Sequence, residues 1–431
     1  MYYRRTVLHL MTIIGIDDTD SATEGMCTTF IGAVIGRSIA NIGYRVNETL
    51  LVRLNPSVEF KTRGNAAVAI HTTMPARKAL TLAKKIVFSY SKESDEKTNP
   101  GVVVSPKDKI STEVSQFARE TVTELKTISN AKKLISEYNF YSGWRGNGRG
   151  RIGSLAAIGA LEAFNNWTYE TLAYRENSNI KTKRDIDYDS VFEASDMFYP
   201  LTWDTIDTRT DYAVCVPQTP CPVLYGIRGK SPTATKETAT FIESEPVNFS
   251  HTYKTNQGTD AHIQQADNTN ELTENQSFAV TGTVKETANI IEGGHVFVPI
   301  SDGYNTIDIG AFSQTNQFRD QLKKLRVGDI ITAVGEYSNE TIKLEKLRIN
   351  KLKTYCKENP VCQSCDKKME SAGSNSGYRC KTCSNTHPTK VKKFINRNIQ
   401  HGWYESPPNA RRHLSKPLVI MNTDSPKHPE R

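Results

Sequence analysis

The chain has no apolar run of the roughly 20 residues that cross a bilayer as a helix, so it offers no candidate membrane span. It is poor in cysteine, with eight in 431 residues. A secreted disulfide scaffold is shorter and far denser in cysteine, so that class is excluded. The phosphate-loop pattern GxxxxGK[ST] is missing, which excludes the standard P-loop. Charge of either sign is not in large excess: 55 Lys and Arg stand against 47 Asp and Glu, for a net +8. This balance suits a nucleic-acid partner without requiring one. The opening is not expected to act as a secretory leader. The opening MYYRRTVLHLMTIIGIDDTD places two arginines before a short apolar stretch, but that stretch contains His9, has no small-residue cleavage site and runs into acidic residues. Residues 1–10 read as an extension before Met11, and the expected compartment is the cytoplasm.

The length implies two to four domains. The strongest local signal is Cys362-Gln-Ser-Cys365 followed, after a fourteen-residue gap, by Cys380-Lys-Thr-Cys383. Two CxxC knuckles at this spacing place four thiolates around one zinc ion. Four protein ligands leave no open position, so the ion is structural, and it supplies folding energy that so short a segment cannot draw from a core. Ahead of the ribbon, Phe278, Val280, Gly282 and Val284 alternate with smaller or polar residues, as do Val296, Val298 and Ile300, and Ile342 and Leu344. Phe318, Leu322 and Leu325 recur at helical spacing between them. Short strands with one helix before the last pair predict a small OB-type barrel, a fold that often binds single-stranded nucleic acid. From Ser384 to Arg431 there are nine Lys or Arg, three acidic residues and prolines at 388, 407, 408, 417, 426 and 429. That composition predicts an extended, partly disordered basic tail, either solubilising or lying along an RNA backbone.

The N-terminal chemistry begins at Ile13–Ile16, a strand followed within four residues by Asp17, Asp18 and Asp20. Carboxylates crowded at a strand end suit Mg²⁺, which commonly bridges to nucleotide phosphates; the alternative is a helix-capping turn. Gly25-Met-Cys-Thr-Thr29 opens the apolar stretch Phe30–Ile39 and reads as a helix N-terminus able to receive an anion. Cys27 has no base partner in the sequence and reads as a packing residue. Lys61-Thr-Arg63-Gly64-Asn65 combines cations with a turn, and Gly146-Asn147-Gly148-Arg149-Gly150 precedes a small-residue helix. Glycines there let backbone amides approach a phosphate.

The segments IGIDDTDSATEGMCTT, LVRLNPSVEFKTRGNAAVAI, NPGVVV, GNGRGRIGSLAAIGALEA, TYETLAYR, YGIRG and TNQGTDAH occur in this order, with the ribbon after them. Over roughly residues 12–385 the chain resembles the archaeal 2-agmatinylcytidine synthetases of the minor isoleucine tRNA. The resemblance implies a multidomain α+β chain: a kinase-like α/β domain at 11–175, a ferredoxin-like α+β domain at 176–272, an OB-fold β-barrel at 273–353, a zinc ribbon at 354–390 and the basic tail at 391–431. It implies an ATP-dependent ligase that phosphorylates the C2 oxygen of the wobble cytidine in a CAU anticodon and lets agmatine displace it, so that AUA is decoded. The anticodon and acceptor regions of the tRNA are the expected partners.

By the same resemblance Asp17, Asp18 and Asp20 handle Mg²⁺ and ATP, and Thr28 matches a threonine that becomes phosphorylated. On the residues' own chemistry Lys61 and Arg63 would clamp phosphates, a solvated turn cation being the alternative for either. Gly25, Cys27, Thr29 and the loop Gly146, Asn147, Gly148, Arg149 would hold the nucleotide. Agmatine, a guanidinium and an amine, calls for carboxylates and carbonyls. Asp204 and Asp207 in TWDTID, and Asn256, Asp260 and His262 in TNQGTDAH, are the candidates, with caps and surface turns as the alternative for each. On the residues alone two rivals remain: an RNA-binding module without transfer chemistry, and a kinase acting on another acceptor.

Overall fold

A computed structural model describes residues 11–59, 61, 64–107 and 109–431. Residues 1–10 and Arg63, named above, lie outside the described residues. The first half of the chain runs β1 (Thr12–Asp17), α1 (Thr28–Asn41), β2 (Val46–Arg53), β3 (Ala66–Thr72), α2 (Ala76–Tyr90), β4 (Gly101–Ser105), α3 (Thr112–Thr123), α4 (Ile128–Glu137), β5 (Tyr141–Trp144), α5 (Arg151–Ala163) and β6 (Thr168–Arg175). Next come α6 (Tyr188–Phe198), β7 (Thr202–Trp203), β8 (Val223–Gly229), α7 (Pro232–Thr240) and β9 (Val247–Thr255). All nine strands form one sheet in the order β5-β4-β1-β3-β2-β9-β6-β8-β7. The two halves of the sheet join where β2 pairs parallel with β9 at Leu50 and Lys254.

Apolar faces explain the layering. Ile14 and Ile16 of β1 pack with Phe30, Ile31 and Ile35 of α1 on one face of the sheet, and Tyr174 of β6 and Tyr253 of β9 belong to the same cluster. Ile13 points the other way, as strand alternation requires, into a cluster with Leu155, Ala156 and Ile158 of α5. Helix α5 is built from small residues because it lies directly on β1. A Cβ at Gly15 would overlap the carbonyl of Ser154, and one at Gly153 would overlap the Asp17 carboxylate.

The second half contains β10 (Ile263–Gln265), β11 (Gln276–Val284), β12 (Asn289–Ile290), β13 (Val296–Ser301), β14 (Thr306–Ala311), α8 (Gln317–Leu322), β15 (Ile330–Ser338) and β16 (Thr341–Lys351). Pairings β11–β13, β13–β14, β14–β16, β16–β15 and β15–β11 close a five-stranded barrel. The expected helix before the last pair is α8, and Phe318, Leu322 and Leu325 are buried in the barrel core. The ribbon follows with β17 (Tyr355–Glu358), β18 (Glu370–Ser371), β19 (Tyr378–Arg379) and β20 (Thr386–His387). The four sulfurs of Cys362, Cys365, Cys380 and Cys383 lie within 4.8 Å of one another. A tetrahedron with zinc–sulfur bonds of about 2.3 Å has edges of about 3.8 Å, so the cluster fits the ion.

The expectation of an extended, partly disordered tail does not hold. The segment forms β21 (Val391–Phe394), β22 (Gly402–Glu405) and β23 (Lys427–His428). Strand β21 pairs with β17, β22 adds to barrel strand β16, and β23 pairs with β22. Tyr404, Leu414 and Leu418 are buried. Three of the nine basic residues face buried carboxylates: Arg397 meets Asp329 at 2.6 Å, Arg411 meets Glu405 at 2.9 Å, and Arg412 pairs with Glu336. Among the described residues no helix is long and apolar enough to cross a membrane.

Candidate functional site

A cavity of about 640 Å³ opens where β1, α1, the end of β2, α5 and the strands β6 and β8 converge. One end is acidic. Asp17 closes β1, and Asp18 and Asp20 follow on a turn that Asp18 enters with φ +60°. All three carboxylates line the cavity. Burial, and then the neighbouring Asp18, push the Asp17 carboxyl well above its ordinary pKa. Burial also raises Asp18 against the pull of Arg149. Arg149 reaches this cluster, its Nε donating to Asp18 Oδ2 at 3.0 Å. Such a donor set, three hard-oxygen carboxylates crowded at one wall with Asp17 and Asp18 raised by burial, fits a divalent cation.

Thr28 and Thr29 start α1 at the cavity wall, so the positive end of its dipole faces the acidic cluster. The Thr28 hydroxyl lies 3.0 Å from that of Thr19. Cys27, at the helix N-cap, sits 3.0 Å from the Thr29 hydroxyl and touches the core cluster under α1, as a packing residue should. Gly25 (φ +81°) holds the turn before it. The glycine loop is shaped from below: Asn99 Oδ1 accepts from the amide of Asn147 at 2.9 Å, and Gly146 and Gly148 both take positive φ. Gly150 then lies on Gly101 so closely that no Cβ fits, which seats α5 against the carboxylates. Of this loop, Arg149 lines the cavity. Lys61 stands at the rim, its Nζ donating to the Pro56 carbonyl.

The opposite wall is made of charged pairs. Arg228 Nε donates to Glu170 at 3.2 Å, and Gln257 donates to the other oxygen of Glu170 at 2.7 Å. Arg53 Nε donates to Gln257 at 3.0 Å. Asp204, also at φ +53°, lines the cavity 3.6 Å from Arg228 and pairs with Arg411. The structure therefore brings Asp17, Asp18, Asp20, Cys27, Thr28, Thr29, Lys61, Arg149 and Asp204 to one cavity.

Other candidates for the agmatine end lie elsewhere. Asp207 is buried in a turn against Tyr212. Asn256 clamps the backbone of Arg53 through both ends of its amide. Asp260 accepts from Lys346 at 2.5 Å, and His262 meets Glu345 at 3.0 Å, so both bind the barrel to the sheet. Sequence reasoning gave no role to Arg53, Glu170, Arg228 or His413, all of which line the cavity. A charge in the middle of an apolar strand, as in LVRLN, TYETLAYR and YGIRG, was the available signal for the first three. His413 lies in a segment whose composition resembles a tail and carried none.

Known proteins resemble this chain along nearly its whole length. Three family profiles match: the TiaS TCKD domain over residues 13–79, the TiaS FLD domain over 148–262 and the TiaS C-terminal zinc ribbon domain over 359–399. The isoleucine-tRNA 2-agmatinylcytidine synthetase TiaS of Haloquadratum walsbyi is 42% identical, over 98% of this chain and 100% of its own. That of Archaeoglobus fulgidus is 38% identical over 95% and 98%. A solved complex of TiaS with its isoleucine tRNA and ATP superposes with a TM-score of 0.88 at 36% identity, covering 98% of this chain and 100% of the other. A complex of TiaS with the same tRNA, AMPCPP and agmatine gives 0.87 at 34% identity, covering the same shares.

Proposed function

This chain belongs to the TiaS family of isoleucine-tRNA 2-agmatinylcytidine synthetases, and from that premise we propose how its cavity performs the reaction. The enzyme attaches agmatine to C2 of the wobble cytidine in the CAU anticodon of the minor isoleucine tRNA, at the expense of ATP. A cytosine carbonyl oxygen is a poor leaving group. Phosphorylation of that oxygen makes it one, and the primary amine of agmatine then forms the new C–N bond as the oxygen departs with the phosphate.

The observation that carries this reading is one cavity with two unlike ends: three crowded carboxylates beside a helix N-terminus, and a carboxylate set among arginines. Asp17, Asp18 and Asp20 hold Mg²⁺, which supplies charge neutralisation on the phosphates. The start of α1, with Gly25, Cys27 and Thr29, and the Gly146–Gly150 loop cradle the nucleotide. Lys61 steadies phosphate at the rim, a role that Arg63 shares by its place in the KTRGN motif alone. Thr28, hydrogen-bonded to Thr19, is the hydroxyl placed to accept a phosphoryl group. Asp204 takes the cationic agmatine. Asp207 is buried beyond that wall, and Asn256, Asp260 and His262 support it by fixing Arg53 and the barrel. The barrel and ribbon hold the anticodon and acceptor regions of the tRNA, and the zinc is structural. The cytoplasm, where tRNA and ATP meet, is the working compartment.

Nucleoside mass spectrometry on a CAU-anticodon isoleucine tRNA transcript tests this, with ATP, Mg²⁺ and agmatine each omitted in turn. The expected product is a cytidine heavier by agmatine less water, absent without ATP. ATP turnover or RNA phosphorylation with no adduct would instead indicate a kinase with a different acceptor.

A further inference from the structure

One tripeptide of the C-terminal segment touches three parts of the molecule at once. Arg411 is 2% exposed in its side chain, pairs with Asp204, and meets Glu405 at 2.9 Å. Arg412 pairs with Glu336 of β15 and lies 3.6 Å from Glu345 of β16. His413 Nδ1 lies 2.6 Å from Arg228 Nη2. The backbone explains the division. Arg411 is extended (φ −75°, ψ 131°), and in extended chain residues i and i+2 face one way while i+1 faces the other. Residues 411 and 413 reach the cavity wall while 412 reaches the barrel. Main-chain bonds lock this register: the amides of Gly258 and Asp260 donate to the carbonyls of His413 and Leu414, each at 2.9 Å.

A guanidinium only donates, so His413 Nδ1 accepts and the ring proton sits on Nε2. Burial, and then the charges of Arg53, Arg228 and Lys61, keep the imidazole neutral, well below its ordinary pKa. Arg228 is thereby clamped between Glu170 at Nε and His413 at Nη2, which leaves Nη1 turned to Asp204 at 3.6 Å. Without Arg411, the Asp204 carboxylate would keep Arg228 as its one cationic neighbour among the described residues of this wall.

We propose that Arg411 and His413 are positioning residues for the amine-transfer end of the cavity, Arg411 fixing the Asp204 carboxylate and His413 the Arg228 guanidinium, while Arg412 anchors both to the barrel. The Arg411 half rests on the assignment of Asp204 to agmatine. The segment past the ribbon is then part of the catalytic apparatus, and it ties the RNA-holding barrel to the site of chemistry.

Full-length variants assayed with tRNA transcript, ATP, Mg²⁺ and varied agmatine test this, with tRNA affinity measured alongside. His413→Asn keeps an acceptor oxygen where Nδ1 stands, and His413→Leu removes it. The Leu variant is expected to lose about tenfold or more in kcat/KM for agmatine, with tRNA Kd within about twofold and most of the loss restored by Asn. Arg411→Ala, or Arg411→Lys where the alanine variant does not fold, is expected to cost little further in an Asp204→Asn background. Equal losses for His413→Leu and His413→Asn overturn the His413 role. Additive losses for Arg411 and Asp204 overturn the Arg411 role. A wild-type agmatine KM in Asp204→Asn overturns the agmatine assignment and the Arg411 role with it; the Leu and Asn variants of His413 then still decide the His413 role.

Discussion

The two ends of the cavity are assembled in opposite ways. The acidic end comes from a short stretch of chain: Asp17, Asp18, Asp20, Thr28 and Thr29 lie within one strand, one turn and the start of one helix. The opposite wall draws Arg53, Glu170, Asp204, Arg228 and His413 from five separate places, and the last lies 185 residues beyond its hydrogen-bond partner Arg228. The residues of the first end are set close together by local backbone geometry, with Arg149 the charged partner that a distant loop supplies. The second is held by paired charges, each depending on a neighbour delivered by another element. Local geometry tolerates change at a distance, whereas a charge network does not.

The largest effect tests the acidic end directly. Asp18→Asn removes a carboxylate beside Asp17 and the partner of Arg149. It should lower adduct formation by about a thousandfold or more while tRNA binding, measured separately, stays near wild type. Survival of ATP-dependent adduct formation in this variant would remove the carboxylates from the chemistry.

An intermediate effect tests whether that end is as locally built as it looks. A Cβ at Gly153 would overlap Asp17 Oδ2, so Gly153→Ala should shift the carboxylate and cost about a hundredfold in rate with modest loss of Tm. An unchanged rate would show that α5 can retreat and that the packing is not what sets the triad.

The smallest effect concerns the network that joins the barrel to the second wall. Burial raises the pKa of Glu345, but His262, Arg412 and Lys346 outweigh it and hold the carboxyl at about 2. Folding thus lowers this pKa, so its stabilisation is complete above pH about 4.5 and disappears as the pH falls towards 2. The contribution is roughly 3 kcal/mol. Tm measured from pH 6 down to 3 should fall, and Glu345→Gln should flatten that part of the profile. An equally steep profile in the variant would place the acid-sensitive group elsewhere.

Much of this was legible in the residues, and the parts that were not share a cause. The barrel strands and α8 follow from period-two alternation and from Phe318, Leu322 and Leu325, because each element buries one face. The zinc cysteines follow from spacing because both knuckles are local. Asp260 and His262 sit in as distinctive a motif as any, yet they face Lys346 and Glu345 instead of the cavity; a motif identifies a special environment without saying which one. The C-terminal segment misled most, because composition counts Arg397, Arg411 and Arg412 as surface charge and cannot see Asp329, Asp204 and Glu336 opposite them.

The zinc site, the barrel, the acidic strand end and the family can be read from the residues without coordinates, since each rests on residues near one another or on an ordered set of motifs. Which charged residues share the cavity, and the membership of the segment past the ribbon, depend on the packing of distant elements. A buried charge is stable only beside its partner, and here the partners are brought together by one continuous sheet and by a C-terminal strand added to the barrel.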